Sequence, residues 1–68
     1  MKYTKGMAIT LDDNKEYIIL RLKEIDGILF AYVQNTEDIN DDAFVILKEN
    51  SLEVVSDVEK IKFLMENM

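Results

Sequence analysis

Asp26-Gly27 stands between two stretches rich in β-branched and aromatic residues, 16 to 25 and 28 to 35, and no other feature narrows the fold as much. A two-residue Asp-Gly loop favours a type I′ turn, whose central residues both need φ > 0 and whose twist matches that of the flanking strands. The turn predicts a hairpin with a definite register, in which Ile25 faces Ile28, Lys23 faces Phe30, Arg21 faces Tyr32 and Ile19 faces Gln34 on one side. The other side carries Ile18, Leu20, Leu22, Leu29, Ala31 and Val33. It is almost wholly aliphatic and is the expected core, while Arg21 and Lys23 assign the first side to water.

The remaining elements follow from local signals. Met7, Ile9 and Leu11 alternate with Ala8 and Thr10, the period of a half-buried strand, and the Asp12-Asp13-Asn14-Lys15 cluster ends it in a turn. After a polar loop from Thr36 to Asp42, Phe44 to Leu47 reads as a buried strand, Glu49-Asn50-Ser51 as a turn and Leu52 to Val55 as a short last strand. Ser56 and Glu59 have the spacing of a capping box, with Asp57 favourably placed at the positive end of the helix dipole. Val58, Ile61, Leu64, Met65 and Met68 fall on one stripe at helical spacing. The expected fold is α+β, a five-stranded antiparallel β-meander, twisted or half-barrelled, with one C-terminal α-helix packed on its aliphatic face.

A chain of 68 residues can bury one core, so residues 1–68 are expected to form a single small domain. The apolar share of 49% suffices to build that core against the 32% that is charged. With no cysteine and no histidine, neither a disulfide nor a soft-ligand metal site is expected to reinforce it, and no proline or repeat marks a linker. No basic-then-apolar leader and no apolar run near the ~18 residues of a membrane span is present, which makes the cytoplasm the expected compartment. Fourteen acidic against eight basic residues give a net charge of −6, which repels phosphate backbones and argues against direct nucleic-acid binding.

The order of elements, together with Ile9-Thr10-Leu11, Glu16-Tyr17, the Glu24-Ile25-Asp26-Gly27 turn with aromatics just after it, the acidic loop, Val45-Ile46-Leu47 and Leu52-Glu53-Val54-Val55 before a capped helix, resembles a family of small acidic proteins of Gram-positive bacteria known as domain of unknown function 1292. The chain is shorter than the usual member between its acidic loop and last strand. The resemblance spans most of the chain and implies the same fold class and a bacterial or phage cytoplasmic origin. It supplies no activity and no site residues.

Candidate sites are few. Asp38, Asn40, Asp42 and Glu49 reproduce the first, third, fifth and twelfth positions of a calcium-binding EF-hand loop, but Ala43 stands where that loop needs glycine and the flanks read as strands. A solvated acidic loop is the better reading, and no metal or cofactor is expected. Carboxylate pairs such as Asp12 with Asp13 or Asp41 with Asp42 lie in turns, and without His, Cys or Trp the usual nucleophile and base combinations are missing. Ser51 and Ser56 are explained as turn and cap. No catalytic residue is assigned, and the chain is read as a non-enzyme.

The outer side of the hairpin gathers Tyr17, Arg21, Lys23, Phe30 and Tyr32, and aromatics beside cations can stack bases or grip a peptide. Ordinary cross-strand packing of the Arg21 and Lys23 stems on Tyr32 and Phe30 accounts for them first. Phe63 falls opposite the helix stripe, which fits a partner contact, a short helix that frays, or a side chain tucked against the N-terminal segment around Tyr3 and Met7. The leading expectation is a small acidic interaction module working by protein-protein contact, on a larger partner or as a homodimer. A second is an acidic, phage-type mimic of nucleic acid that fills a basic groove with Asp12, Asp13, Glu37, Asp38, Asp41 and Asp42. A third is a weak ligand or nucleic-acid binder through Arg21, Lys23, Phe30 and Tyr32.

Overall fold

The computed structural model describes residues 3–68. Five strands, β1 (Ala8–Thr10), β2 (Glu16–Ile25), β3 (Ile28–Asn35), β4 (Asp42–Leu47) and β5 (Leu52–Val54), precede one helix, α1 (Val58–Asn67). The strands lie side by side in chain order, each antiparallel to the next, and the sheet curls into a half-barrel. The turn between β2 and β3 has φ of 52° at Asp26 and 79° at Gly27, both positive as its type requires. From that turn the ladder runs as expected through Ile25–Ile28, Lys23–Phe30 and Arg21–Tyr32.

Beyond Arg21 the expected register fails. A β-bulge between Ile19 and Arg21 takes up Leu20, so Ile19 pairs with Val33 rather than Gln34, and Tyr17 with Asn35. One extra residue reverses the facing of every side chain upstream of it. Ile19, placed on the outer side from its spacing, is fully buried, whereas Leu20, placed in the core, is 37% exposed and Ile18 only half-buried. Tyr17 likewise leaves the Arg21 side and is buried on the opposite one. The bulge is held from the β1 side, where Gly6 N–H donates to the Ile19 carbonyl at 2.7 Å and Ile19 N–H to the Met7 carbonyl at 2.9 Å.

The sheet buries both faces. One core joins Ile9, Leu11, Tyr17, Ile19, Ala31, Val33, Val45 and Leu47, contributed by all of β1 to β4 and the turn after β1. The curl of the sheet brings these side chains together, and the helix takes no part. The second core is Phe30, Val55 and Leu64, flanked by Ile25, Phe44, Ile46, Ile61 and Met68. The helix therefore covers the face that carries Arg21 and Lys23, and the expectation that it lies on the aliphatic face is wrong. Arg21 and Lys23 explain how this is tolerated: both remain exposed, and their charged ends donate to main-chain oxygens at the end of α1, Lys23 to Asn67 at 2.8 Å and Arg21 to Met68. No basic residue lies in the helix's own last turn, so the sheet supplies the cations that its negative end favours.

The helix starts one residue later than a Ser56 cap would have it. Asp57 is the N-cap, extended at φ −74° and ψ 118°, and its carboxylate accepts from Glu59 N–H at 3.0 Å. Aspartate serves the free amides as well as serine does and adds a charge favourable to the dipole. The predicted stripe is also narrower than its spacing implied. Leu64 is fully buried and Ile61 and Met68 are half-buried, but Val58 and Met65 are 64% and 68% exposed along one flank.

Candidate functional site

The flank of α1 that carries Met65 is one wall of an open groove of about 600 Å³. Its floor is the first half of β4, Asp42, Ala43 and Phe44, and its far end is Val54 and Val55, where β5 stops. β5 pairs with β4 at Val45, Ile46 and Leu47, and Val55 adds one bond to the Phe44 carbonyl, so Asp42 and Ala43 have no strand beside them on that side. Val54 is 43% exposed, which with Met65 makes the groove's rim apolar. Tyr32 and Phe44, cross-strand neighbours with ring centroids 5.2 Å apart, form its aromatic base. Arg21 and Asp42 close it at one end, and the Tyr32 hydroxyl donates to Asp42. That bond, more than burial, raises the Tyr32 pKa, so the phenol remains a donor at neutral pH.

Beside the groove the fold assembles a second feature. The Tyr17 hydroxyl lies 2.8 Å from a carboxylate oxygen of Asp13 and 2.8 Å from one of Asp41, binding the turn after β1 to the loop before β4. A phenol has one hydrogen, which the two carboxylates share. Bonding to Asp41 and then to Asp13 pushes the Tyr17 pKa far up, which keeps this proton in place. Asn35, the one buried polar residue among those described, donates to the same Asp41 oxygen at 3.0 Å and accepts from Glu37 N–H at 2.8 Å. The Asn35 and Tyr17 donors hold the Asp41 carboxyl below its usual pKa.

The result is an acidic pole. Asp12, Asp13, Glu16, Glu37, Asp38, Asp41 and Asp42 meet there with Lys15 as the one cation among the described residues, seven charges against one. Elsewhere among the described residues seven acidic side chains are set against six basic ones, so the negative charge of the chain is concentrated at this end. All six residues singled out as an acidic surface thus lie together. The calcium pattern does not close up: no group of three or more metal-ligating acidic side chains is found among the described residues.

The expected hairpin surface, by contrast, is dispersed. Tyr17 is on the other face, Phe30 is only 4% exposed in the core beneath α1, and Arg21 and Lys23 are engaged with the end of the helix. Tyr32 alone of the aromatics remains toward the groove. Phe63 is 46% exposed, on the side of α1 away from the groove and outside both apolar clusters. The groove itself was missed because Leu52 to Val55 and Phe44 to Leu47 read as strands of equal length. No local signal marks the difference, since Phe44 to Leu47 is an unbroken apolar run and Asp42-Ala43 before it reads as the end of the polar loop, yet β4 begins at Asp42 and is twice as long as β5.

No helix of the described residues is long and apolar enough to cross a membrane. Compared with family models, with characterised proteins and with solved structures, the chain matches none of them.

Proposed function

We propose that this chain is a non-enzymatic interaction module acting by protein-protein contact, and that the groove beside α1 is where the partner sits. The observation that carries this reading is the exposed apolar rim, Met65 and Val54, over a floor of half-buried Phe44, past which the β4–β5 ladder does not extend. A contiguous apolar concavity rimmed by charge is the usual form of a binding site. Met65→Lys is the direct test. Met65 is 68% exposed, so the variant is expected to fold as the parent does, and a lysine suits the last turn of the helix. Used as bait in a bacterial lysate, the parent is expected to retain a specific partner at ~1 M salt, and Met65→Lys to lose it. Retention of the same partner by Met65→Lys refutes the reading.

The acidic pole favours a second reading, the mimic of nucleic acid on a basic partner. The pole gathers seven acidic residues and one lysine at one end of the sheet. The discriminating variant is Asp12→Lys, Glu37→Lys and Asp38→Lys together. These three residues are exposed, and their side chains accept no bond from Tyr17 or Asn35. On the mimic reading this variant and ~1 M salt, which shortens the Debye length to ~3 Å, each release the partner while Met65→Lys does not.

A further inference from the structure

The groove opens onto a gap in the sheet. In an antiparallel ladder the N–H and C=O of one residue point to the same side, and alternate residues face alternate neighbours. Lys48 N–H donates to the Ser51 carbonyl at 3.0 Å and Val55 N–H to the Phe44 carbonyl at 2.8 Å, so the even-numbered residues of β4 face β5. Asn35 N–H donates to the Asp41 carbonyl at 2.8 Å on the other side, as this alternation requires. Val55 lies opposite Phe44 and takes its carbonyl, and beyond it the ladder stops, so the Phe44 N–H and both main-chain groups of Asp42 are left on that side with no hydrogen-bond partner among the described residues.

We propose that an extended, basic segment of another protein adds here as a short strand, in line with β5 and alongside the exposed flank of α1. The inference rests on the groove reading and names its partner class. Main-chain bonds to Asp42 and Phe44 supply the pairing, and Met65, Val54 and Phe44 receive the apolar side chains, the division of labour of strand addition. The sign of the charge selects the occupant. Asp42 sits at once in the groove and on the pole that carries −6, so lysine or arginine side chains of the segment are attracted. A second copy of this chain would bring two such poles together and is disfavoured. Of the other uncovered edges, β1 and β5 are only three residues long, and β2 beyond its bulge presents Arg21, Lys23 and Glu24 and the exposed Leu20, so each has a short, charged or bulged form that blocks pairing.

The test is an NMR titration of the full chain with a hexapeptide of alternating lysine and valine, blocked at both ends. The same peptide N-methylated at alternate residues and a glutamate-valine analogue are run beside it. Binding by the lysine peptide is expected to shift the Asp42 and Phe44 amides and slow their exchange about tenfold or more. Met65→Lys is expected to weaken it about tenfold, or ~1.4 kcal/mol, and the N-methylated and glutamate peptides to fail. Shifts confined to the acidic pole, shifts along Leu22 to Glu24, equal binding of the N-methylated peptide, or no binding would each overturn the strand-addition proposal. If the peptide fails while Met65→Lys still loses the lysate partner, strand addition is wrong and the groove reading stands; if both fail, both are wrong.

Discussion

Leu64 is the one fully buried residue of α1, and it rests on Phe30 and Val55 in a core separate from the one around Ile19, Val33 and Val45. Leu64→Ala should therefore act mainly on the docking of the helix. Replacing a buried leucine by alanine costs about 2–5 kcal/mol, since the transfer term is lost and a cavity is left. A chain of this length has roughly 3–10 kcal/mol in all, at about 0.05–0.15 kcal/mol per residue. A ten-residue helix is too short to persist in water by itself, so once undocked it unfolds. The expected outcome is selective. At ~3 kcal/mol, the α1 amides lose about a hundredfold in protection from hydrogen exchange, while Val33 and Val45 amides keep theirs. Met65→Ala, at an exposed site on the same helix, should change neither by more than ~0.5 kcal/mol. Equal loss of protection in α1, β3 and β4 would refute the division into two cores, and an unchanged α1 would refute the claim that Leu64 anchors it.

Three further outcomes follow from the geometry. Gly27→Ala should destabilise the fold by about 1–2 kcal/mol through its positive φ alone, since a Cβ there meets nothing within 4 Å, and urea unfolding against the parent measures it. Arg21→Gln and Lys23→Gln should each fray the end of α1, by about 0.3–1 kcal/mol at low salt and less as salt rises, read from helical circular dichroism. The Asp41 carboxyl is held below its usual pKa by Asn35 and then Tyr17, so its contribution to stability is present above the ordinary carboxylate range and is lost as pH falls through the depressed value. Glu53, lowered by Lys48 2.6 Å away, acts in the same direction but more weakly, because both partners are exposed. Urea midpoints compared at pH 7 and below pH 4 should show the parent losing more than Asp41→Asn.

Much of the fold is written locally. The hairpin turn needs only Asp26 and Gly27, whose conformational preferences are their own, and β2 and β3 end where their β-rich runs end. The acidic pole was legible as a set of residues, because loops that flank neighbouring antiparallel strands meet at one end of a sheet. Their joining by Tyr17 was not, because it depends on which face Tyr17 takes.

The sequence by itself determined the α+β class, the order of the elements and the sign of the charge, since these depend on turn chemistry, periodicity and composition, all short-range properties. Tertiary structure decided the facing. Ile18, Ile19 and Leu20 are equally apolar, so alternation carries no information about which of them turns inward, and the bulge is chosen by the packing of Ile19 against the curled sheet. That choice moved Tyr17 to the opposite face from Arg21. The helix could not be placed from its stripe either, because both faces of the sheet offer apolar surface. Arg21 and Lys23, read as marks of a solvated face, instead lie along it and bond the end of α1, which a long side chain with a charged tip can do and a hydropathy pattern does not register. The groove exists because β5 stops short of the end of β4, a mismatch in length that appears only when the two strands are laid side by side.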